Sequence, residues 1–258
     1  MKYETLTSID NPILETFRLQ KDSLLRQRGE VLLDSAKIVE RFLKTSLKLK
    51  VLVAHESFLE QNAELIEKQG DAKIFLAAKD IMESIVGFRI HSGVIALGER
   101  PADTPLEELD DHIVFLNGVN NSENIGAIAR NALAFGAQSI IADPQSCTPF
   151  VRRSIRVSMG AVLKCKLHHS SNGLASIETL KGLGYKIFGA TLSQKSIDLH
   201  KTKFPKKSVL VIGQEGDGIH QDIEAELDQG VHIAMEDGID SLNAAVASGI
   251  FLHKMKGE

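Results

Sequence analysis

The chain has 258 residues, 43% hydrophobic and 25% charged, which suits one large globular domain or two modest ones and excludes a collagen-like, fibrous or disordered chain. The net charge of −4 at pH 7 excludes a globally basic nucleic-acid footprint. No apolar run approaches the roughly 18 residues needed to span a bilayer, and the start lacks the apolar core of a secretory signal. No membrane segment is therefore expected. Cys147 and Cys165 match no zinc or redox spacing, so a reducing cytoplasm fits better than a disulfide framework.

Before residue 98, helical and extended patterns alternate. Asp10-Asn11-Pro12 reads as a helix start, with proline in the first turn. The apolar stretches 31–33, 51–54, 73–77 and 93–97 read as strands. Ser35 is placed to cap a helix whose apolar face is Ile38, Val39 and Phe42, and 57–70 reads as a second helix ending in glycine. Residues 98–111 carry two prolines and six acids. They read as a linker, giving domains at 1–98 and 112–258 joined by 99–111.

Beyond the linker the alternation resumes. Strands are expected at 112–116, 139–142, 185–192, 208–213 and 231–235, and helices at 125–135, 172–183 and 241–255. Repeated apolar strands joined by helices imply an α/β fold, with a mainly parallel sheet covered on both faces. Ligands of such sheets bind beyond the carboxyl ends of the strands.

Charge is uneven along the chain. Residues 144–177 contain no acid but carry Arg152, Arg153, Arg156, Lys164 and Lys166, and the N-terminal region is locally basic around Lys21, Arg26 and Arg28. Such clusters form either a solvated face or a patch for a polyanion. Several motifs fall short. The order of glycines in 213–218 is neither a dinucleotide fingerprint nor a P-loop, His168-His169 lacks metal-ligating neighbours, and Ser158 is not in a nucleophile elbow. Asp237 and Asp240 read as a solvated turn before a helix capped by Asp240 or Ser241.

Three segments combine a strand end, polar residues and a helix. In 117–137, Asn124 stands at a helix start and Arg130 lies among alanines and isoleucines, where a buried guanidinium would need an anionic partner. An Asn cap with a structural ion pair explains this segment as well as a functional site does. In 210–223, glycines flank Glu215, which is either an exposed acid on a tight turn or a partner for Arg130 or a cation. In 232–254, Ile233 and Met235 precede Ser241 and Asn243 at the start of a small-residue helix. A simple cap explains Ser241 better than Asn243, because Asn is a poor helix-interior residue.

In this order the three segments resemble motifs 1, 2 and 3 of the SpoU (TrmH) family of RNA ribose 2′-O-methyltransferases, within the SPOUT superfamily. The first is matched by Asn124, Gly126, Ala127, Ile128, Arg130, Ala132, Ala134, Phe135 and Gly136. The second is matched by Leu210 to Gly218, and the third by Ile233, Met235, Ser241, Leu242, Asn243 and Ala247. The segment 156–161 is also similar, so the likeness covers roughly residues 112–255. Residues 24–40 and 91–97 resemble, more weakly, the L30e-like substrate-binding domain of the rRNA-directed branch. The chain departs from the family pattern at Asp34-Ser35, Asn120-Asn121, Ala234 and Ala244-Ala245.

The resemblance implies S-adenosylmethionine as methyl donor, a ribose 2′-hydroxyl of ribosomal RNA as acceptor, no metal, a homodimer and a trefoil knot in the catalytic domain. It assigns catalysis to Arg130, Asn124, Glu215, Ser241 and Asn243. It assigns the cofactor to Thr191, Leu192, Gly213, Glu215, Gly216, Ile233, Met235, Ser241, Leu242 and Asn243. RNA contact is expected from Arg26, Arg28, Arg152, Arg153 and Arg156. A tRNA substrate, or a non-catalytic RNA-binding protein of the same fold, remains the alternative.

Overall fold

The computed structural model describes residues 2–18, 21–78, 80–82, 93–236, 238 and 241–257. The chain forms two compact units, Met1–Pro101 with Phe150–Leu163, and Ala102–Pro149 with Lys164–Glu258.

The first unit holds a five-stranded mixed sheet of order β1-β4-β3-β5-β2, from β1 (Glu4–Leu6), β2 (Glu30–Leu33), β3 (Leu49–Ala54), β4 (Lys73–Ala77) and β5 (Val94–Glu99). Its core gathers Leu14, Phe17, Leu25, Leu32, Val53, Met82 and Ile95. Asn11 caps a short 3-10 helix, Pro12–Thr16, and Ser35 caps helix Ala36–Leu43 through the Ile38 amide. The expected helix 57–70 is two short helices, Glu56–Gln61 and Ala63–Glu67, separated at Asn62. Of the segment 91–97, residues 91 and 92 lie outside the described residues.

Helix Arg152–Val157, read in sequence with the C-terminal unit, packs with this first unit. Asp34, whose side chain is only 5% exposed, accepts from Arg152 Nε at 2.8 Å and pairs with its Nη2 at 2.7 Å. Arg156 approaches the same carboxylate at 3.6 Å. Burial of Asp34 demands such partners, and the otherwise acid-free segment supplies them.

The second unit is a seven-stranded, all-parallel sheet of order β10-β12-β9-β11-β6-β7-β8. Its strands are β6 (His112–Asn117), β7 (Ser139–Ala142), β8 (Lys166–His169), β9 (Lys186–Ala190), β10 (Ile197–Asp198), β11 (Ser208–Gly213) and β12 (Gln229–His232). Ile113 to Asn117 are all buried, as a central parallel strand requires. The expected linker is not a bare connection. Leu106 and Leu109 enter the core of this unit, and Asp103 bridges to Leu167 on the outer edge of β8. The two adjacent histidines hold that segment: His168 Nδ1 lies 2.9 Å from the Thr104 carbonyl, and His169 Nδ1 lies 2.8 Å from Asp103.

The chain runs from β6 outward through β7 to β8, then returns to build the other half from β11 and β9. The boundary between β6 and β11 is thus the topological switch point of the sheet.

Candidate active site

At that switch point Asn117 and Gly213 end their strands side by side. The loop after Gly213 folds back on itself through a bridge between Gln214 and Gly218. A Cβ on Gly213 would stand 2.2 Å from the Gly218 carbonyl carbon, and Gly218 has φ +73°, so both glycines are required by the turn. Together with the ends of β9 and β12, this loop borders a cavity of about 520 Å³.

Thr191, Leu192, Gly213, Glu215, Gly216, Ile233, Met235, Ser241 and Leu242 all line the cavity, so nine of the ten residues assigned to the cofactor meet there. The tenth, Asn243, has a different place. It is the N-cap of helix Ala244–Lys256, its Oδ1 accepting from the Ala245 and Val246 amides at 3.0 and 3.3 Å. The expected cap at Asp240 or Ser241 is therefore corrected, and Asp237 and Asp240 lie outside the described residues.

The cap leaves the Asn243 amide nitrogen free to donate to Asn124 Oδ1 at 3.0 Å. Asn124 in turn donates its Nδ2 to Glu215 Oε1. One chain of side-chain hydrogen bonds thus ties the three motif segments. Asn124 is not the helix cap, because Asn121 caps helix Ser122–Phe135 and leaves Asn124 buried in its first turn. Gly136, with φ +85°, ends that helix in a left-handed conformation that glycine adopts without strain.

Arg130 departs from its expected setting. It is exposed, and among the described residues it makes no ion pair. Glu215 bonds to Asn124 instead. Six residues at about 100° each turn the Arg130 side chain some 120° away from that of Asn124, so the two do not share a helix face.

Sequence reasoning missed Asp217 and Glu224, both of which line the cavity. Thr191 Oγ1 donates to Glu224 Oε1 at 2.7 Å. The one available signal was their proximity to the glycine loop. Among the described residues neither Lys nor Arg lines this cavity, and Glu215, Asp217 and Glu224 dominate its charge.

Among the candidate RNA contacts, Arg26, Arg28, Arg153 and Arg156 are exposed, whereas Arg152 is held by Asp34. The small-residue face of helix Ala244–Lys256 is used within the chain. Asn131 Nδ2 donates to the Ala245 carbonyl at 2.8 Å and to Ser248 Oγ at 3.2 Å, and a Cβ on Gly249 would stand 3.1 Å from that nitrogen. Val246 and Ile250 stay exposed beside this contact, on a groove shared with Ala127 and Phe135.

The family model for SpoU rRNA methylases matches residues 111–253. The chain is 27% identical over 205 residues to the 23S rRNA (guanosine-2′-O-)-methyltransferase RlmB of Acinetobacter baylyi, covering 76% of this chain and 82% of that one. An AdoMet-bound rRNA methyltransferase from Sinorhizobium meliloti superposes with a TM-score of 0.86 at 25% identity, covering 98% of this chain and 97% of that one. A TrmH/SpoU tRNA modifying enzyme of A. aeolicus reaches a TM-score of 0.53 at 26% identity, covering 59% of this chain and 77% of that one.

Proposed function

Because the chain belongs to the SpoU rRNA methylase family, we propose that it methylates a ribose 2′-hydroxyl of RNA with S-adenosylmethionine as donor. The observation that carries this reading is the cavity at the strand ends, where residues of motifs 2 and 3 meet, beside the hydrogen-bond chain from Asn243 through Asn124 to Glu215.

The cavity fits the donor. About 520 Å³ lies within the range of small-molecule sites. Glu215, Asp217 and Glu224 suit a ligand bearing a sulfonium and an ammonium cation, while Ile233, Met235 and Leu242 give apolar contact. When bound, S-adenosylmethionine supplies an electrophilic methyl group on sulfur. Thr191, Leu192, Gly213, Gly216 and Ser241 would hold it at the mouth of the sheet. Asn124, Asn243 and Glu215 form a fixed polar frame beside it. Arg130, exposed and able to offer a bidentate fork, grips the ribose phosphate and positions the hydroxyl, whose proton passes to solvent water. A guanidinium stays protonated, so positioning is its role in this reading.

Ribosomal RNA is the proposed substrate class, and the cytoplasm the proposed location. The S. meliloti rRNA methyltransferase matches this chain along 98% of its length, including the first unit, while the tRNA modifying enzyme matches 59%. The first unit serves as an L30e-like RNA-binding domain, using Arg26, Arg28, Arg153 and Arg156. The second is threaded as a trefoil knot and pairs with a second copy through the Val246 and Ile250 groove. Among the described residues no cluster suits a metal, and the proposed reaction requires none.

The test is a map of ribose 2′-O-methyl sites on total RNA from cells with and without the gene. A site in ribosomal RNA lost with the gene, and restored by the purified protein with S-adenosylmethionine, is the expected result. Loss of a tRNA site would select the tRNA reading, and no lost site would overturn the activity.

A further inference from the structure

Beneath the site lies a buried carboxylate that the mechanism above does not use. Asp143, 6% exposed, follows β7 and among the described residues forms no ion pair. Its Oδ1 accepts three backbone amides, from Gly118 at 3.2 Å, Gln145 at 3.2 Å and Ser146 at 2.7 Å. Its Oδ2 accepts from Asn117 Nδ2 at 2.9 Å and from the Gly118 amide at 3.2 Å. Asn117, 1% exposed, ends β6 and uses its other side-chain atom in the opposite direction. Its Oδ1 accepts from the His220 amide at 2.8 Å, just beyond the glycine loop, and its Nδ2 stands 3.5 Å from His220 Nδ1.

One buried amide thus joins the ends of three strands. Gly118 opens the loop leading to Asn124, and His220 closes the loop carrying Glu215. We propose that Asn117 and Asp143 are a positioning pair for methyl transfer, setting the two loops so that Asn124 and Glu215 meet. This rests on the methyltransferase reading. The pair touches neither donor nor RNA. It acts through the backbone amides of Gly118 and His220, which open one loop and close the other. Gly118 has φ +71°, and a Cβ there would stand 3.2 Å from His220 Nε2, so the two loops already pack against each other at this point.

The geometry permits a donor–acceptor exchange. Asn117→Asp places two carboxylate oxygens face to face, and Asp143→Asn places two amide nitrogens face to face. The double variant N117D/D143N restores the pair with its direction reversed. Asn at 143 keeps an oxygen for the three amides, and Asp at 117 keeps an oxygen for His220.

The experiment measures methyl transfer to gene-deleted total RNA, donor affinity by calorimetry, and hydrogen exchange of amides 118–124 and 214–220. Each single variant should lose about 30-fold or more in kcat, with donor affinity within about threefold, while the double recovers most of the loss. Exchange in both loops should accelerate in the singles and return in the double. Folded single variants with normal kcat, or a double no better than either single, would overturn the pairing. If the wild-type protein methylates no RNA, the proposed activity fails, and exchange in the two loops alone decides whether the pair sets them.

Discussion

Asn243 caps helix Ala244–Lys256 with its oxygen and holds Asn124 with its nitrogen, so one side chain both starts the helix and anchors the site. The two functions separate by substitution. Asn243→Asp retains the cap and loses the donor, so it should keep its stability and lose methyl transfer. Asn243→Ala loses both, at a cost of about 1 kcal/mol in stability. Urea unfolding beside single-turnover methylation distinguishes the two variants.

Arg130 is exposed and makes no ion pair among the described residues, so its removal should not disturb the fold. Arg130→Ala is expected to match the wild type in melting temperature and donor affinity, while methyl transfer falls by about 100-fold or more. Arg130→Lys keeps the charge without the fork and should remain severely impaired. Wild-type rates for Arg130→Ala at saturating donor and RNA would remove Arg130 from the site.

The arginines of the first unit divide by partner. Arg152→Glu sets a carboxylate against buried Asp34 and should destabilise the protein by on the order of 2 kcal/mol. Arg26→Glu with Arg28→Glu touches exposed residues and should preserve stability. It should weaken RNA binding and flatten its salt dependence by about one unit of slope per lost phosphate contact. Filter binding across a salt series reads the second effect and thermal melting the first.

Burial raises the Cys165 thiol to about 12, with the Asp110 charge adding to the effect. The folded state therefore keeps this proton where an unfolded thiol, near about 8.5, has lost it. The stability due to the neutral thiol is complete below the unfolded value and declines as pH rises from there toward 12. In native protein at pH 8, Cys147, which is partly exposed, should alkylate with iodoacetamide well before Cys165. Mass spectrometry of the alkylated chain checks the order, and Cys165→Ala should flatten the alkaline slope.

The proposed dimer rests on exposed apolar side chains. Val246→Glu with Ile250→Glu should convert a dimer to a monomer in sedimentation at micromolar concentration. A wild-type sample sedimenting only as a monomer would remove that interface.

Sequence pattern located most strands because their apolar runs are unbroken, as at 112–116 and 208–213. It missed β8, where KLHH presents one large apolar residue and two histidines whose partners lie more than sixty positions away. The site loops were legible as motifs, and nine cofactor candidates share one cavity. The setting of Arg130 was not, because neighbouring alanines suggest burial while the helical angle from Asn124 determines exposure. Asn243 looked unsuited to a helix interior, and the structure resolves this by making it the cap. Asp143 gave no signal, since its importance comes from strand ends that only the fold brings together.

The outer rim of the seven-stranded sheet bears on how the protein avoids the wrong kind of association. One margin ends in β10, only two residues long. The other, β8, is overlaid where Thr104 donates to the Leu167 carbonyl at 2.7 Å and His169 clasps Asp103. Neither margin offers a long row of unpaired amides on which a foreign strand could grow. Unclasping the overlay with His169→Ala and Asp103→Ala should leave a bare template there. On warming, such a variant should form β-rich aggregates at temperatures where the parent protein stays clear.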